Sequence, residues 1–215
     1  MTPNKEDYLK TIYELGQLQQ KITNKQIAEK MNFSAPAVSE MLKKMLAEDL
    51  ISKDKEAGYL LSQEGLEMVA NLYRKHRLIE VFLVEQLGYS PEEIHQEAEI
   101  LEHTVSDRFI DRLDMLLGQP QTCPHGGTIP QPNQLLKERY QTTLASLDQL
   151  GNYQLVRVHD YYQLLQYLEQ HDLAIGDSLT ILDMDQFAQT TTIAFKGKEL
   201  AIPAAVAQQL FVEKK

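Results

Sequence analysis

Two histidines and two glutamates fall on one side of a stretch of the sequence that has helical periodicity. At about 100° per residue, four ligand-type side chains lie within about 100° of one another around the helix axis: His95, Glu99, Glu102 and His103. An adjacent apolar stripe is expected to face a core and consists of Ile94, Ala98, Leu101, Val105 and Phe109. Imidazole nitrogens and carboxylate oxygens on one face can bind a divalent metal ion. A solvated acidic helix with incidental histidines is the alternative.

A second pair of ligand-type residues, His76 and Glu80, lies upstream. The two are four positions apart and therefore share a helix face. The combined set favours a metal site more than either pair does alone. A metal-dependent hydrolase could use the same histidines and glutamates, but the sequence shows neither a nucleophile–base pair nor a glycine-rich phosphate loop. No catalytic residue is assigned.

Composition restricts the protein class but leaves nucleic acid open as a partner. The longest apolar stretches fall short of the about 18 residues of a transmembrane helix, and the N-terminus lacks the apolar core of a signal peptide. The single cysteine excludes an intrachain disulfide, so we predict a cytoplasmic protein. The net charge is −10, yet residues 1–62 hold nine lysines and nine acidic residues. A neutral N-terminal DNA-binding module on an acidic body is compatible with this distribution.

The first 62 residues have the order of elements of a winged helix-turn-helix. Thr23 and Gln26 form a capping-box pattern, and Ser34 precedes a helix with Pro36 in its first turn. The predicted elements are a helix over 6–18, a short helix after Thr23, a helix over 35–48, and two strands over 50–53 and 58–62 that form a wing.

The second helix of the helix-turn-helix, over 35–48, is the expected DNA-recognition helix. Small and polar side chains at its start allow close approach to base edges: Ser34, Ala35, Pro36, Ala37, Ser39 and Glu40. Five lysines are placed to meet phosphates: Lys25, Lys43, Lys44, Lys53 and Lys55. A winged helix that binds only protein is the alternative.

The remaining chain is predicted to be helical first and β-rich later. The pattern predicts helices over 62–86, from Ser90 to about Leu117, and over 135–147, with a proline-rich linker at 119–134. After residue 148 it predicts strands over 154–158, 178–182 and 191–195 and a helix over 161–170, as in a small β-barrel.

Taken together, these motifs make the chain resemble the diphtheria toxin repressor and manganese transport regulator family of metal-dependent transcriptional repressors. Its streptococcal manganese-responsive branch is the most similar. The resemblance covers essentially the whole chain and rests on Glu6-Asp7-Tyr8-Leu9, on residues 34–39, on Arg74-Lys75-His76-Arg77-Leu78 with Glu80, on Glu99, Glu102 and His103, and on residues 173–178.

The resemblance implies the following architecture. The fold is mainly α with a small β domain. A winged helix-turn-helix DNA-binding domain occupies residues 1–62, a helical metal-binding and dimerisation domain occupies 63–147, and an SH3-like (FeoA-like) β-barrel domain occupies 148–215. The protein would act as a homodimer joined through the middle helices.

The resemblance also implies two metal sites. The primary site would consist of Asp7, His76, Glu99, Glu102 and His103, and the secondary site of Glu80, Cys123, His125 and Asp160. His95 matches an ancillary position. Carboxylates stand at positions 7 and 99, where iron-responsive members have methionine and cysteine, so Mn(II) is expected rather than Fe(II). Zn(II) or Cd(II) could also bind in vitro. Lys10 replaces a carboxylate of the binuclear manganese sensors, which disfavours a second metal in that pocket.

The predicted function is a manganese-dependent repressor that binds double-stranded operator DNA as a metal-activated homodimer and controls manganese uptake genes. No membrane and no small-molecule substrate are expected. An iron-responsive repressor of the same family is the main alternative. A hydrolase using the His/Glu cluster and a thiol-based redox regulator acting through Cys123 are the other two.

Overall fold

The computed structural model describes residues 3–18 and 21–215. The chain divides into two compact units. The first unit consists of Met1–His76, Glu102–Ser106 and Pro130–Leu136, and the second consists of Arg77–Leu101, Asp107–Ile129 and Lys137–Lys215. Within the described residues, no helix is long and apolar enough to cross a membrane.

The first unit contains the predicted winged helix-turn-helix. Its elements are α1 Pro3–Leu18, α2 Asn24–Met31, α3 Ala35–Ala47, β1 Ile51–Asp54, β2 Gly58–Leu61 and the start of α4 Gln63–Leu87. The apolar faces of these helices meet in one core that includes Leu9, Ile12, Ile27, Val38, Leu42 and Met45, none more than 1% exposed. Burial of such side chains stabilises the fold by about 1.5–3 kcal/mol each.

Local hydrogen bonds set where the two helices of the helix-turn-helix, α2 and α3, begin. Thr23 and Gln26 form the predicted capping box, in which each side chain accepts from the other residue's backbone N–H. Ser34 Oγ accepts from Ala37 N at 3.4 Å and begins α3. In the wing, Gly58 has φ +79°, and a Cβ there would lie 2.0 Å from Ile22 O, so only glycine fits. The predicted caps are confirmed.

The predicted single helix from Ser90 to about Leu117 is wrong. It consists of α5 Pro91–Glu102 and α6 Asp107–Leu116, joined by a turn. Thr104 and Val105 are poor helix formers, and Ser106-Asp107 is typical of a helix start. His103 therefore lies after α5 rather than on it. The proposed apolar stripe also ends early, because Phe109 is 48% exposed.

The predicted helix over 135–147 is also wrong. This segment is irregular apart from a 3-10 turn over Leu144–Ser146. Its residues make separate tertiary contacts: the Leu136 side chain packs against the first-unit core, and the Thr143 backbone forms a β-bridge with Phe211. These contacts override the weak helical periodicity.

The second unit contains a five-stranded antiparallel sheet in the order β6-β5-β4-β3-β7. Its elements are β3 Gly151–Val158, α7 Tyr162–Gln170, β4 Ser178–Asp185, β5 Thr190–Phe195, β6 Lys198–Pro203, α8 Ala204–Ala207 and β7 Leu210–Lys214. The three predicted strands and the helix are present, and β6 and β7 are additional. The fold class, mainly α with a small C-terminal β domain, is confirmed.

Candidate metal centres and DNA-facing surface

Three predicted ligands come together in the first unit. Asp7, Glu102 and His103, here called the first cluster, each offer one coordinating atom, and these atoms lie within 4.8 Å of one another. Asp7 is on α1, Glu102 is the last residue of α5, and His103 follows in the turn. His103 Nε2 is 2.9 Å from Asp7 Oδ1 and 3.4 Å from Glu102 Oε1. The break after α5 is what directs His103 toward α1.

Two further residues hold the first cluster in place. His103 Nδ1 lies 2.7 Å from Glu6 Oε2, an interaction that fixes the ring with Nε2 toward Asp7. Glu102 Oε2 lies 2.6 Å from His76 Nδ1, and both of these side chains are buried. His76 was predicted as a ligand and contacts a ligand here. Glu6 was missed, although it belongs to the motif Glu6-Asp7-Tyr8-Leu9, because its partner is 97 positions away.

A lysine also contacts the buried carboxylate of the first cluster. Lys10 Nζ lies 3.5 Å from Glu102 Oε1 and 5.8 Å from the centre of the Tyr73 ring. Burial raises the pKa of Glu102, but the nearby charges of Lys10, His76 and His103 lower it by more than burial raises it. The pKa of Glu102 is therefore below its usual 4.5. Glu102 is thus held as the carboxylate, the form that binds a metal.

The second unit brings together another set, here called the second cluster: Glu80, Cys123 and His125. Their coordinating atoms lie within 4.8 Å of one another, and His125 Nδ1 is 3.1 Å from Glu80 Oε1. All three residues are buried. Burial, and then the charge of Glu80, raise the pKa of the Cys123 thiol well above its usual value. The thiol must therefore lose a proton before it can bind a metal.

Asp160 and His95 adjoin the second cluster. Each offers an atom within 4.8 Å of Glu80 and of the other, and His95 Nδ1 lies 4.0 Å from Asp160 Oδ2. His95 Nε2 is also 3.5 Å from Glu99 Oε1, and the Glu99 side chain is 50% exposed. The assignment of Glu99 to the primary site stays a prediction.

The two clusters differ in donor chemistry. The first cluster offers two carboxylates and one imidazole, which are hard or borderline donors that suit Mn(II). The second cluster adds a sulfur atom, which also suits softer ions such as Zn(II) or Cd(II). Both donor sets fit a divalent ion.

The predicted DNA-contacting residues lie on α3 and around it. Most of them are solvent-exposed: Lys25, Ser34, Ala35, Pro36, Ala37, Glu40, Lys43, Lys44, Lys53 and Lys55. Ser39 is half-buried, and its Oγ accepts from Asn24 Nδ2 at 2.7 Å. Lys44 Nζ lies 2.9 Å from Glu40 Oε1, and Lys53 lies over the Tyr59 ring. An exposed ion pair such as Lys44–Glu40 contributes little to stability, so Lys44 can exchange its partner for a phosphate.

Family models match the chain in three consecutive parts. The N-terminal DNA-binding domain of iron-dependent repressors matches residues 1–59. The metal-binding and dimerisation domain of iron-dependent repressors matches residues 62–131, and the FeoA domain matches residues 142–214.

Individual proteins match as well. The structure of the manganese regulator SloR is 60% identical, with a TM-score of 0.92 and both chains covered in full. The structure of ScaR with bound Zn2+ is 55% identical, with a TM-score of 0.95, covering 99% of this chain and 100% of that one. The diphtheria toxin repressor of Corynebacterium jeikeium is 33% identical over 70% of this chain. That alignment spans 63% of the repressor, which is less than two thirds of its length.

Proposed function

Because the chain belongs to the family of iron-dependent and manganese-dependent repressors, we propose that it is a manganese-activated repressor that binds operator DNA as a homodimer. The members it resembles are transcriptional regulators rather than enzymes. The observation that carries the proposal is the first cluster, which combines a carboxylate on the first helix of the winged helix with two ligands at the end of α5. A repressor acts on the chromosome, so the cytoplasmic location is part of the same proposal.

The proposed switch is a population shift. Without metal, His103 contacts the carboxylates of both Asp7 and Glu102, and Lys10 also contacts Glu102. A metal bound by both would fix α1 to the end of α5 and favour the orientation of α3 that fits its half-site. Raising the competent fraction from about 1% to about 99% requires a preference of about 5.5 kcal/mol, which several charged ligands can supply.

Manganese is proposed as the activating ion for two reasons. The first cluster offers oxygen and imidazole donors, which suit Mn(II). SloR, a manganese regulator, is 60% identical over the whole chain. Control of manganese uptake genes follows as part of the proposal. Fe(II) remains the competing activator, since iron-dependent repressor models match the first two domains.

The test is retardation of the promoter DNA upstream of the protein's own gene and of candidate uptake genes. Binding is titrated with Mn(II), Fe(II) and Zn(II) at matched free concentrations. We expect chelated protein to bind weakly and Mn(II) to activate it at the lowest concentration. Equal retardation by chelated and Mn(II)-loaded protein would contradict the switch, and activation by Fe(II) alone would replace the metal assignment.

The DNA-facing residues are tested by a pair of substitutions. Lys44→Ala is expected to weaken binding to all sequences and to flatten the salt dependence by about one unit, because one phosphate contact is lost. Ser39→Ala is expected to act mainly on preferred sites. A uniform loss for Ser39→Ala together with a selective loss for Lys44→Ala would reverse the two assignments.

A further inference from the structure

A largely buried carboxylate, that of Glu138, lies between two arginines in the second unit, outside the predicted ligand sets. Glu138 Oε1 is 2.6 Å from Arg77 Nη2 and 3.4 Å from Arg157 Nη1. All three side chains are at most 14% exposed. Burial raises the pKa of Glu138, but the two guanidinium groups lower it more, so the pKa is below its usual 4.5. Glu138 is therefore an anion that pairs with two buried cations.

Each of the two arginines lies three positions before a predicted metal ligand. Arg77 is on α4, three positions before Glu80. Arg157 is on β3, three positions before Asp160, and its guanidinium lies 3.4 Å from the centre of the Phe211 ring. Glu138 thus connects the helix that carries Glu80 with the strand that leads to Asp160.

Glu138 also binds the end of the loop that carries the other two ligands. Its Oε2 accepts a hydrogen bond from Thr128 N at 2.9 Å, and Arg77 Nη1 donates to Thr128 O. The loop closes on itself there, because Thr122 and Thr128 form a β-bridge and Cys123 N donates to Gly127 O at 2.9 Å. The Glu138 carboxylate therefore connects α4, which supplies Glu80, with the loop that supplies Cys123 and His125 and with the strand that leads to Asp160.

Two glycines show how tightly this loop is held. A Cβ on Gly126 would lie 2.0 Å from Val156 O, and the residue has φ +77°. A Cβ on Gly127 would lie 2.6 Å from Arg77 Cζ. The backbone of the predicted ligand His125, next to Gly126, is also held, because His125 O accepts a hydrogen bond from Val158 N at 3.0 Å. The loop is thus packed between β3 on one side and the Arg77 guanidinium on the other.

From this network we infer that Glu138 is a positioning residue for the second cluster. Its carboxylate keeps the loop of residues 122–128 against α4 and β3 before a metal arrives, so that the ligands of α4 and of the loop, with Asp160 beside them, are already close together. Because folding has already ordered the loop, metal binding loses less conformational entropy and is tighter than it would be to a mobile loop. The inference rests on the proposed function only in taking the second cluster as a metal site.

The test is Glu138→Gln in the full-length protein, with Glu169→Gln as the control because Glu169 is an exposed carboxylate of α7. Affinity is measured with Co(II), whose thiolate charge-transfer absorption reports binding at Cys123. Loss of a group that orients ligands commonly lowers metal affinity 10–100-fold, and we expect a loss in that range. Alkylation of Cys123 in the metal-free protein should become faster. Glu138→Asp, which keeps the charge, should restore part of both properties.

Folding and function are separated by two further measurements. If Glu138→Gln does not fold, the double variant with Arg157→Met, which removes the excess buried cation, decides the question. Unchanged Co(II) affinity and unchanged alkylation in the folded variant would overturn the inference, and so would a parent protein that gives no thiolate absorption. A parent that binds Co(II) through Cys123 yet never retards operator DNA would contradict the proposed function and leave this inference standing.

Discussion

The two clusters of ligand-type residues differ in their exposure to solvent and in the contacts that surround them. In the first cluster the Asp7 side chain is 45% exposed, and a lysine ammonium contacts Glu102. In the second cluster the Glu80 and His125 side chains are at most 6% exposed, and the loop that carries Cys123 is held by neutral and ionic hydrogen bonds. Greater exposure favours exchange of a bound ion, and burial in a fixed loop favours its retention. We therefore expect the first cluster to sense metal and the second to hold it.

The largest expected effect is on the first cluster. Asp7→Ala should abolish Mn(II)-dependent DNA binding even at saturating metal, because Asp7 is the ligand contributed by α1. The dimer should persist, since the helical domain is unchanged. DNA retardation and analytical ultracentrifugation measure the two properties.

Asp148→Ala is the control for this change, because it removes an exposed carboxylate distant in sequence from both clusters. Parental DNA affinity in Asp7→Ala with Mn(II) would show that the first cluster is not the switch.

A smaller effect is expected at the second cluster. His125→Ala should lower the metal content by about one ion per subunit and weaken Mn(II)-dependent DNA binding only in part, because the loop loses its ligand while the first cluster stays complete. Atomic absorption after dialysis measures the metal content. Equal metal content in variant and parent would make Cys123-Pro124-His125 an ordinary turn, and complete loss of DNA binding would exchange the roles of the two clusters.

The pH dependence of metal affinity should also distinguish the two clusters. Because the pKa of the Cys123 thiol is raised, the thiol is protonated at neutral pH, and metal binding there should release about one proton. Affinity should rise about tenfold per pH unit while the pH is below the pKa of the thiol. The pKa of Glu102 is lowered, so Glu102 adds no proton release to the first cluster.

Proton release is measured by calorimetry in buffers of different ionisation enthalpy. Asp7→Ala removes a ligand of the first cluster, so that metal binding to the second cluster can be measured alone. In that background, Cys123→Ser should release about one proton fewer on metal binding. The same proton release in Cys123→Ser and in the parent would mean that the thiol is not a ligand.

The smallest expected effect concerns Lys10. Lys10→Met keeps the length of the side chain and removes the cation that neutralises Glu102, so metal affinity at the first cluster should rise about fivefold, or about 1 kcal/mol. Lys5→Met is the matched control, because Lys5 lies five positions before Lys10 on α1 and pairs with a different carboxylate, that of Glu48. A lower affinity in Lys10→Met would show that the lysine orients Glu102 rather than competing for it.

Much of the fold was predictable because its signals are local. Thr23 and Ser34 accept from backbone N–H groups three positions away, so the starts of α2 and α3 could be predicted from residue types alone. Errors arose where a local pattern was weak. The turn after Glu102 and the irregular segment near Glu138 both lie in stretches with helical periodicity. The turn coincides with the weak helix formers Thr104 and Val105, whereas the irregular segment is set by contacts with distant residues.

The sequence by itself determined which residues could bind a metal, since donor type is a property of the side chain. It also determined the reading motif and the order of the domains. Only the tertiary structure decided how the donors are grouped and supported: His103 with Glu6, Glu102 with Lys10, and the Cys123 loop with Glu138. The physical reason is that ionic and hydrogen-bonded contacts depend on distances of a few ångströms between groups that are up to 97 positions apart in the chain.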